Sequence, residues 1–308
     1  MPARSPSPGR PRGRAAAATC VVLALVCFTP GTAEEVVHRE RSLYQTILIT
    51  QEPSRLCMKF TIRDRERNQS CMDPRSPKRM VFTYTRMMMA SLLLTPEPAS
   101  VFVAGLGGGT LPTALAELLP ETRIDVAEID PAVIAAARTY FSFATDERLQ
   151  VHASDARVFV KRALARGESY DLVLLDAYSG DYIPEHLMTV EFLAEVRTLL
   201  APGGVMAANT FATSLLYDHE SETYRDVFGE FFNLRLPESN NRVILATVSP
   251  LPSRATLREN ARTWRTRLRA YDVPVASYPA RMSRKVDWDV TKRALTDQYS
   301  PANLLRDH

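Results

Sequence analysis

The stretch Gly105-Leu106-Gly107-Gly108-Gly109-Thr110 constrains this chain more than any other. It follows an apolar run, Val101 to Gly105 (VFVAG), and opens a helix-forming stretch that reaches Leu119. Glycines between a strand and a helix let the backbone turn tightly and approach a ligand with no side chain in between. The pattern is G-x-G-x-G. A dinucleotide fingerprint would place a third glycine where Thr110 stands.

The same rhythm continues downstream. Apolar runs Arg123 to Glu128, Leu149 to Ala153, Asp171 to Asp176 and Gly204 to Asn209 alternate with helical stretches such as Ala132 to Tyr140 and Ala156 to Ala165. Strands alternating with helices predict an α/β fold, a Rossmann-like parallel sheet covered on both faces. Phe231 to Leu236 and Arg242 to Val248 read as a hairpin closing the sheet edge, and Ala255 to Ala270 as an Arg-heavy helix with a solvated face. Upstream, Tyr44 to Thr50 and Leu56 to Ile62 alternate like a small antiparallel β element. Arg79 to Leu94, free of Gly and Pro, predicts a helix, with Met87, Met88 and Met89 packed in the core.

Three carboxylates stand where strands of such a sheet end. Glu128 is placed to accept hydrogen bonds from ribose hydroxyls, whereas Asp130, followed by Pro131, reads as a helix N-cap. Asp155, in Ser154-Asp155-Ala156, is placed to accept from an adenine amino group. No phosphate-binding Lys or Arg follows the glycine turn, so a nucleoside without phosphates fits, S-adenosylmethionine and its relatives among them. Asp176 opens a loop, Asp176-Ala177-Tyr178-Ser179-Gly180-Asp181, across the same edge. A carboxylate there can hold an amine or take its proton, and an alkylamine with a pKa of about 10.4 needs that before it can attack. His186 reads as a structural or loop histidine, and no cluster has metal-ligand spacing.

Charge excludes one broad class of partner. Lys and Arg number 38 against 35 Asp and Glu, but four arginines lie in the first fourteen residues and no acid precedes Glu34. From Glu34 the balance is 34 against 35, too neutral for a nucleic-acid surface. The leader itself has Arg4, Arg10, Arg12 and Arg14, then uncharged Ala15 to Phe28, then Pro30-Gly31 and small residues up to Ala33. It reads as a signal peptide, residues 1–33, cleaved after Ala33, rather than an anchor, because its apolar stretch falls short of the ~20 residues that cross a bilayer. The expected protein is exported, periplasmic or secreted, with no membrane span after cleavage; an unused leader would leave it in the cytoplasm. Cys57 and Cys71 then remain, and both a disulfide and two buried thiols fit.

These motifs together resemble the spermidine synthase (polyamine aminopropyltransferase) family. Ser42-Leu43-Tyr44-Gln45, Gln69, Tyr84, the glycine turn, Glu128-Ile129-Asp130, Ser154-Asp155-Ala156, Asp176, Leu199 to Gly204 and Leu295 to Pro301 occur in family order. The resemblance implies a class I methyltransferase-type sheet in residues 99–308, preceded by a β element and linking helix in residues 34–98. It implies a homodimer and an amine substrate. It implies decarboxylated S-adenosylmethionine, or S-adenosylmethionine itself, as co-substrate, with no tightly bound cofactor. Glu128 would hold the ribose, Asp155 with Ala156 the adenine, and Gln45 with Gly105, Gly107 and Gly109 the donor. Tyr84 and Asp181 would meet the acceptor, and Asp176 would be catalytic. Two positions depart from the family: Gly107 replaces the Asp of G-G-G-D-G-G-T-L that holds the donor's amine, and Ser179 replaces the second Asp of the acceptor loop. Loss of the first carboxylate removes a repulsion against intact S-adenosylmethionine. Methyl transfer therefore stands beside aminopropyl transfer, and so does an exported binding protein without chemistry, because the leader would carry the chain away from the cytosol where sulfonium nucleosides are made.

Overall fold

Residues 1–3, 34–62, 65–178 and 182–301 are described by a computed structural model. The rest of the leader, residues 4–33, and Ser179 and Asp181 lie outside the described residues. Strands β1 (Glu35–Arg41), β2 (Thr46–Glu52), β3 (Arg55–Ile62) and β4 (Arg65–Met72) form an antiparallel sheet in chain order. The apolar alternation predicts β2 and β3 alone; β1 and β4 are too charged and polar to show it. Cys57 stands opposite Cys71 across β3 and β4 and the two form a disulfide, so the two open readings resolve in favour of the bridge.

The stretch predicted as one helix over Arg79 to Leu94 is shorter and divided. Helix α1 spans Thr83–Met88 and a 3-10 turn spans Met89–Leu93. Phe82 is extended, at φ −84° and ψ 139°, so the helix starts only at Thr83, and upstream the N–H of Met80 donates to the carbonyl of Tyr271. Met87, Met88 and Met89 are buried in the core.

Next come β5 (Ser100–Ala104), α2 (Thr110–Leu118), β6 (Arg123–Glu128), α3 (Pro131–Tyr140), β7 (Leu149–Ala153), α4 (Ala156–Ala165) and β8 (Tyr170–Leu175). They are followed by α5 (Val190–Leu199), β9 (Leu200–Phe211), α6 (Tyr217–Phe228), β10 (Phe232–Arg235), β11 (Asn241–Thr247), α7 (Arg254–Leu268), α8 (Tyr278–Arg281) and the short β12 (Met282–Ser283). The sheet order is β12-β10-β11-β9-β8-β5-β6-β7, parallel from β7 to β9 and antiparallel beyond. The predicted hairpin is β10 with β11, but β12 pairs outside β10 and takes the edge.

Along β5, Val101 and Val103 join one apolar cluster while Phe102 and Ala104 join the other, so both faces of the sheet are buried. This is why the strand reads as a continuous apolar run. Between β5 and β8 the strand order reverses, which opens a crevice at their carboxyl ends. The antiparallel sheet reaches it because Ile47, Ile49 and Phe60 pack on Val133, Ala136 and Phe141 around α3.

Candidate active site

A cavity of about 290 Å³ lies over the carboxyl ends of β5, β6, β7 and β8. Gln45, Tyr84, Gly105, Gly107, Glu128, Asp155, Ala156 and Asp176 all line it, so the fold brings together residues separated by 131 positions of sequence. Gly109 turns behind the wall, and Asp181 falls outside the described residues. Gln69 and Ser70 of β4 complete the wall on the side of the antiparallel sheet.

The glycine turn is required by the close approach of two strands. Gly105 sits at φ +95°, and a Cβ there would lie 2.4 Å from the carbonyl oxygen of Asp176. Only a residue without a side chain lets the end of β5 pass the loop that carries the carboxylate. At Gly107, φ is +53° and a Cβ would meet Ser70 at 3.6 Å, an ordinary contact.

Each carboxylate is held differently. Glu128 accepts from the N–H of Leu106 at 3.1 Å and of Asp130 at 3.0 Å, which leaves further lone pairs for hydroxyls. Burial pushes its pKa up, opposed by these N–H donors. Asp130 caps α3 by accepting from Ala132, as the Asp-Pro signal predicts, and also accepts from the Ser42 hydroxyl at 2.6 Å. The segment Ser42 to Gln45 is thereby fastened to the start of α3.

Asp155 caps α4 by accepting from Val158, and its second oxygen meets His186 Nε2 at 2.8 Å. Burial acts to raise its pKa, but the His186 contact and the N–H of Val158 hold it below the usual range. Asp155 is thus anchored at both oxygens while it lines the cavity, and each oxygen keeps a further lone pair for an adenine amino group. His186, read from sequence as a structural or loop residue, lines the cavity.

Asp176 has few partners. Burial raises its pKa to about 7, and the one hydrogen bond opposing this comes from Asn209 Nδ2 at 2.9 Å. Tyr84 and Tyr178 stand close, and burial, with the neighbouring Asp176 charge, pushes both phenols well above their ordinary values. Sequence reasoning passed over Asn209. Its signal was a polar residue closing the apolar run of β9 at the ligand edge.

No Lys or Arg lines the cavity among the described residues, and no cluster of His, Cys, Asp and Glu there could hold a metal ion. Three carboxylates around one crevice suit a cationic ligand, since each opposite charge that enters relieves their mutual repulsion.

Comparison with known proteins places this geometry. The chain is 47% identical to the polyamine aminopropyltransferase of Vibrio vulnificus (strain CMCP6) over 294 residues, covering 93% of this chain and 98% of that one. A probable spermidine synthase from Corynebacterium glutamicum shares the fold with a TM-score of 0.62 at 18% identity, over 83% of this chain and 97% of that one. A spermidine synthase in complex with the transition-state analogue AdoDATO shares it with a TM-score of 0.56 at 23% identity, over 79% and 83%. Residues 81–235, from before α1 to the end of β10, match the spermine/spermidine synthase domain. That span includes the glycine turn, Glu128, Asp155 and Asp176, and with a relative similar over nearly its whole length the chain belongs to the spermine/spermidine synthase family.

Proposed function

We propose that this protein is a transferase that moves an aminopropyl group from decarboxylated S-adenosylmethionine to an amine. The observation that carries this reading is Asp176, set in a cavity whose acidic lining, Glu128 and Asp155 included, has no described Lys or Arg to receive a donor's carboxylate. A decarboxylated donor is a cation without that group. The relative from Vibrio vulnificus and the analogue-bound spermidine synthase support the same class.

The donor's ribose meets Glu128, its adenine the Asp155–His186 pair, and its sulfonium points toward Asp176. The acceptor nitrogen attacks the aminopropyl carbon attached to sulfur. A C–N bond forms, the C–S bond breaks with its electron pair going to sulfur, and neutral methylthioadenosine leaves. The nitrogen's proton passes to Asp176. A carboxylate of pKa about 7 is a better match for an ammonium near 10.4 than an ordinary one. The uphill transfer shrinks from roughly 9 to roughly 5 kcal/mol, at 1.36 kcal/mol per pKa unit. With Gly107 in place of a carboxylate, the donor's amine meets the polar groups of Gln69 and Ser70.

Export by the leader and a homodimer belong to the same proposal. The Cys57–Cys71 bridge supports an oxidising compartment. Exposed Val36 and Val37 on edge strand β1 support pairing through the antiparallel sheet.

The test is turnover of the decarboxylated donor with a panel of amines, read as methylthioadenosine. Asp176→Asn should lose at least 100-fold in kcat while donor affinity, by calorimetry, stays within threefold. Release of S-adenosylhomocysteine from intact S-adenosylmethionine instead would make the protein a methyltransferase.

A further inference from the structure

Asp176 is oriented from behind by a row of two amides. Asn209 Nδ2 donates to Asp176 Oδ1 at 2.9 Å, and Asn241 Nδ2 donates to Asn209 Oδ1 at 3.0 Å. The two asparagines lie on one face of neighbouring strands. Asn241 stands opposite Phe211 and Asn209 opposite Val243, so the pair meets on the diagonal of the β9–β11 ladder. The backbone carbonyl of Asn209 is also occupied, accepting from the Tyr178 hydroxyl at 2.7 Å.

The direction of this row follows from what each group can do. A carboxamide has one acceptor end and one donor end. Asn241 donates to the acceptor end of Asn209, so the donor end must face Asp176. An ionised carboxylate can only accept, and the polarity of the row therefore runs one way, toward Asp176 Oδ1. Asn209 is buried, 3% exposed, in a strand whose neighbouring positions on that face, Val205 and Ala207, are apolar. A buried amide without partners would be strongly unfavourable, and this one has a partner at every polar end.

The opposite face of the same strand pair is held by Arg242, fully buried. Its guanidinium donates to Thr210 Oγ1 at 2.8 Å and Ser221 Oγ at 2.7 Å, and pairs with Glu220 at 3.2 Å. Arg242 stands opposite Thr210, beside both asparagines. Buried ion pairs are weak sources of stability but strong constraints on geometry. This one pins the strand ends from which Asn209 and Asn241 project.

We propose that Asn209, itself held by Asn241, is a positioning residue that engages Oδ1 of Asp176 and so presents Oδ2 as the oxygen that receives the proton of the attacking amine. The proposal rests on the aminopropyl-transfer reading for the identity of the amine, but the orientation of Asp176 stands without it. Other groups also face the carboxylate or its loop: Tyr84 from α1, Tyr178 from the loop itself, and Glu220 and Arg242 from α6 and β11 behind it. All are unchanged in the variants below.

The experiment follows the carboxyl carbon of Asp176 by NMR through a pH titration of the whole protein, in the native form and as Asn209→Leu and Asn241→Leu. Removing the donor withdraws support from the ionised form, so the midpoint should rise by at least half a pH unit in Asn209→Leu. Asn241→Leu does not touch Asp176; freeing the Asn209 amide to turn should move the midpoint in the same direction by less. It decides the matter alone if Asn209→Leu fails to fold. In the transfer assay the acid limb of kcat should move with the midpoint, and kcat should fall 10- to 100-fold with the donor KM within threefold. Midpoints within 0.2 of the native value in every folded variant would overturn the proposal, whatever the rates. If the native protein transfers nothing while the midpoints move as stated, the positioning role stands and the transfer reading falls.

Discussion

At Asp176 the fold holds a carboxyl group whose ionised form it disfavours, and the consequence for stability has a definite sign. In the unfolded chain the group titrates near 3.8, and in the folded protein at about 7. Between these values the folded state binds the additional proton, so this group's contribution to stability is full below 3.8 and is lost as pH rises through 7. The gap corresponds to roughly 4 kcal/mol as an upper bound, reduced by water in the cavity. Asp176→Asn should therefore raise Tm at pH 8 and change it little at pH 4, measured by calorimetric melting, while turnover is lost. The same titration should give kcat/KM an acid limb near pH 7, since the proton acceptor must be ionised. Gly107 offers a complementary test. Its φ of +53° is a conformation that Asp tolerates at a cost on the order of 1 kcal/mol, and the nearest side chain, Ser70, is not crowded. Gly107→Asp should strengthen binding of the decarboxylated donor about tenfold and weaken that of intact S-adenosylmethionine, read by calorimetric titration.

The β elements of the N-terminal sheet act on the site through their packing. The bridge from Cys57 to Cys71 ties β4 to β3 one residue away from Ser70, which lines the cavity. Replacing both cysteines by Ser should cost about 3 kcal/mol, the usual effect of opening a loop of this length. Denaturant unfolding would report it, with a weaker donor affinity accompanying it as Gln69 and Ser70 loosen. Gly105→Ala should be worse for activity than for stability, because its Cβ would strike the backbone that carries Asp176. A loss of at least 100-fold in kcat with the fold retained by circular dichroism is expected. At this scale the sequence was legible where burial makes a pattern. β5 to β8 read as apolar runs and α3 announced itself through Asp130-Pro131, whereas β1 is exposed along most of its length and β4 is mostly polar in sequence, so neither shows alternation. Residues Arg79 to Phe82 fall in the predicted helix and are not helical: Phe82 is extended, and Met80 donates to Tyr271, nearly 200 residues away, a contact no local pattern announces.

Over the whole molecule, the crevice between β5 and β8 is where a doubly wound sheet exposes the carboxyl ends of strands running to either side. Among the described residues no helix is long and apolar enough to cross a membrane. If the proposed homodimer forms through β1, Val36→Lys with Val37→Lys should shift the sedimentation coefficient to that of a monomer without unfolding the larger sheet. The sequence alone determined the strand–helix order, the glycine turn and the carboxylates at successive strand ends, because those signals depend on local periodicity and on positions a few residues apart. Tertiary structure alone decided that His186 meets Asp155, that the two cysteines face one another, and that Asn241 and Asn209 form a row ending at Asp176. Those partners are 14 to 33 residues apart, on different elements. No local pattern encodes which side chains meet when separate strands and loops are brought side by side, since register and packing are settled only by burying the whole core at once.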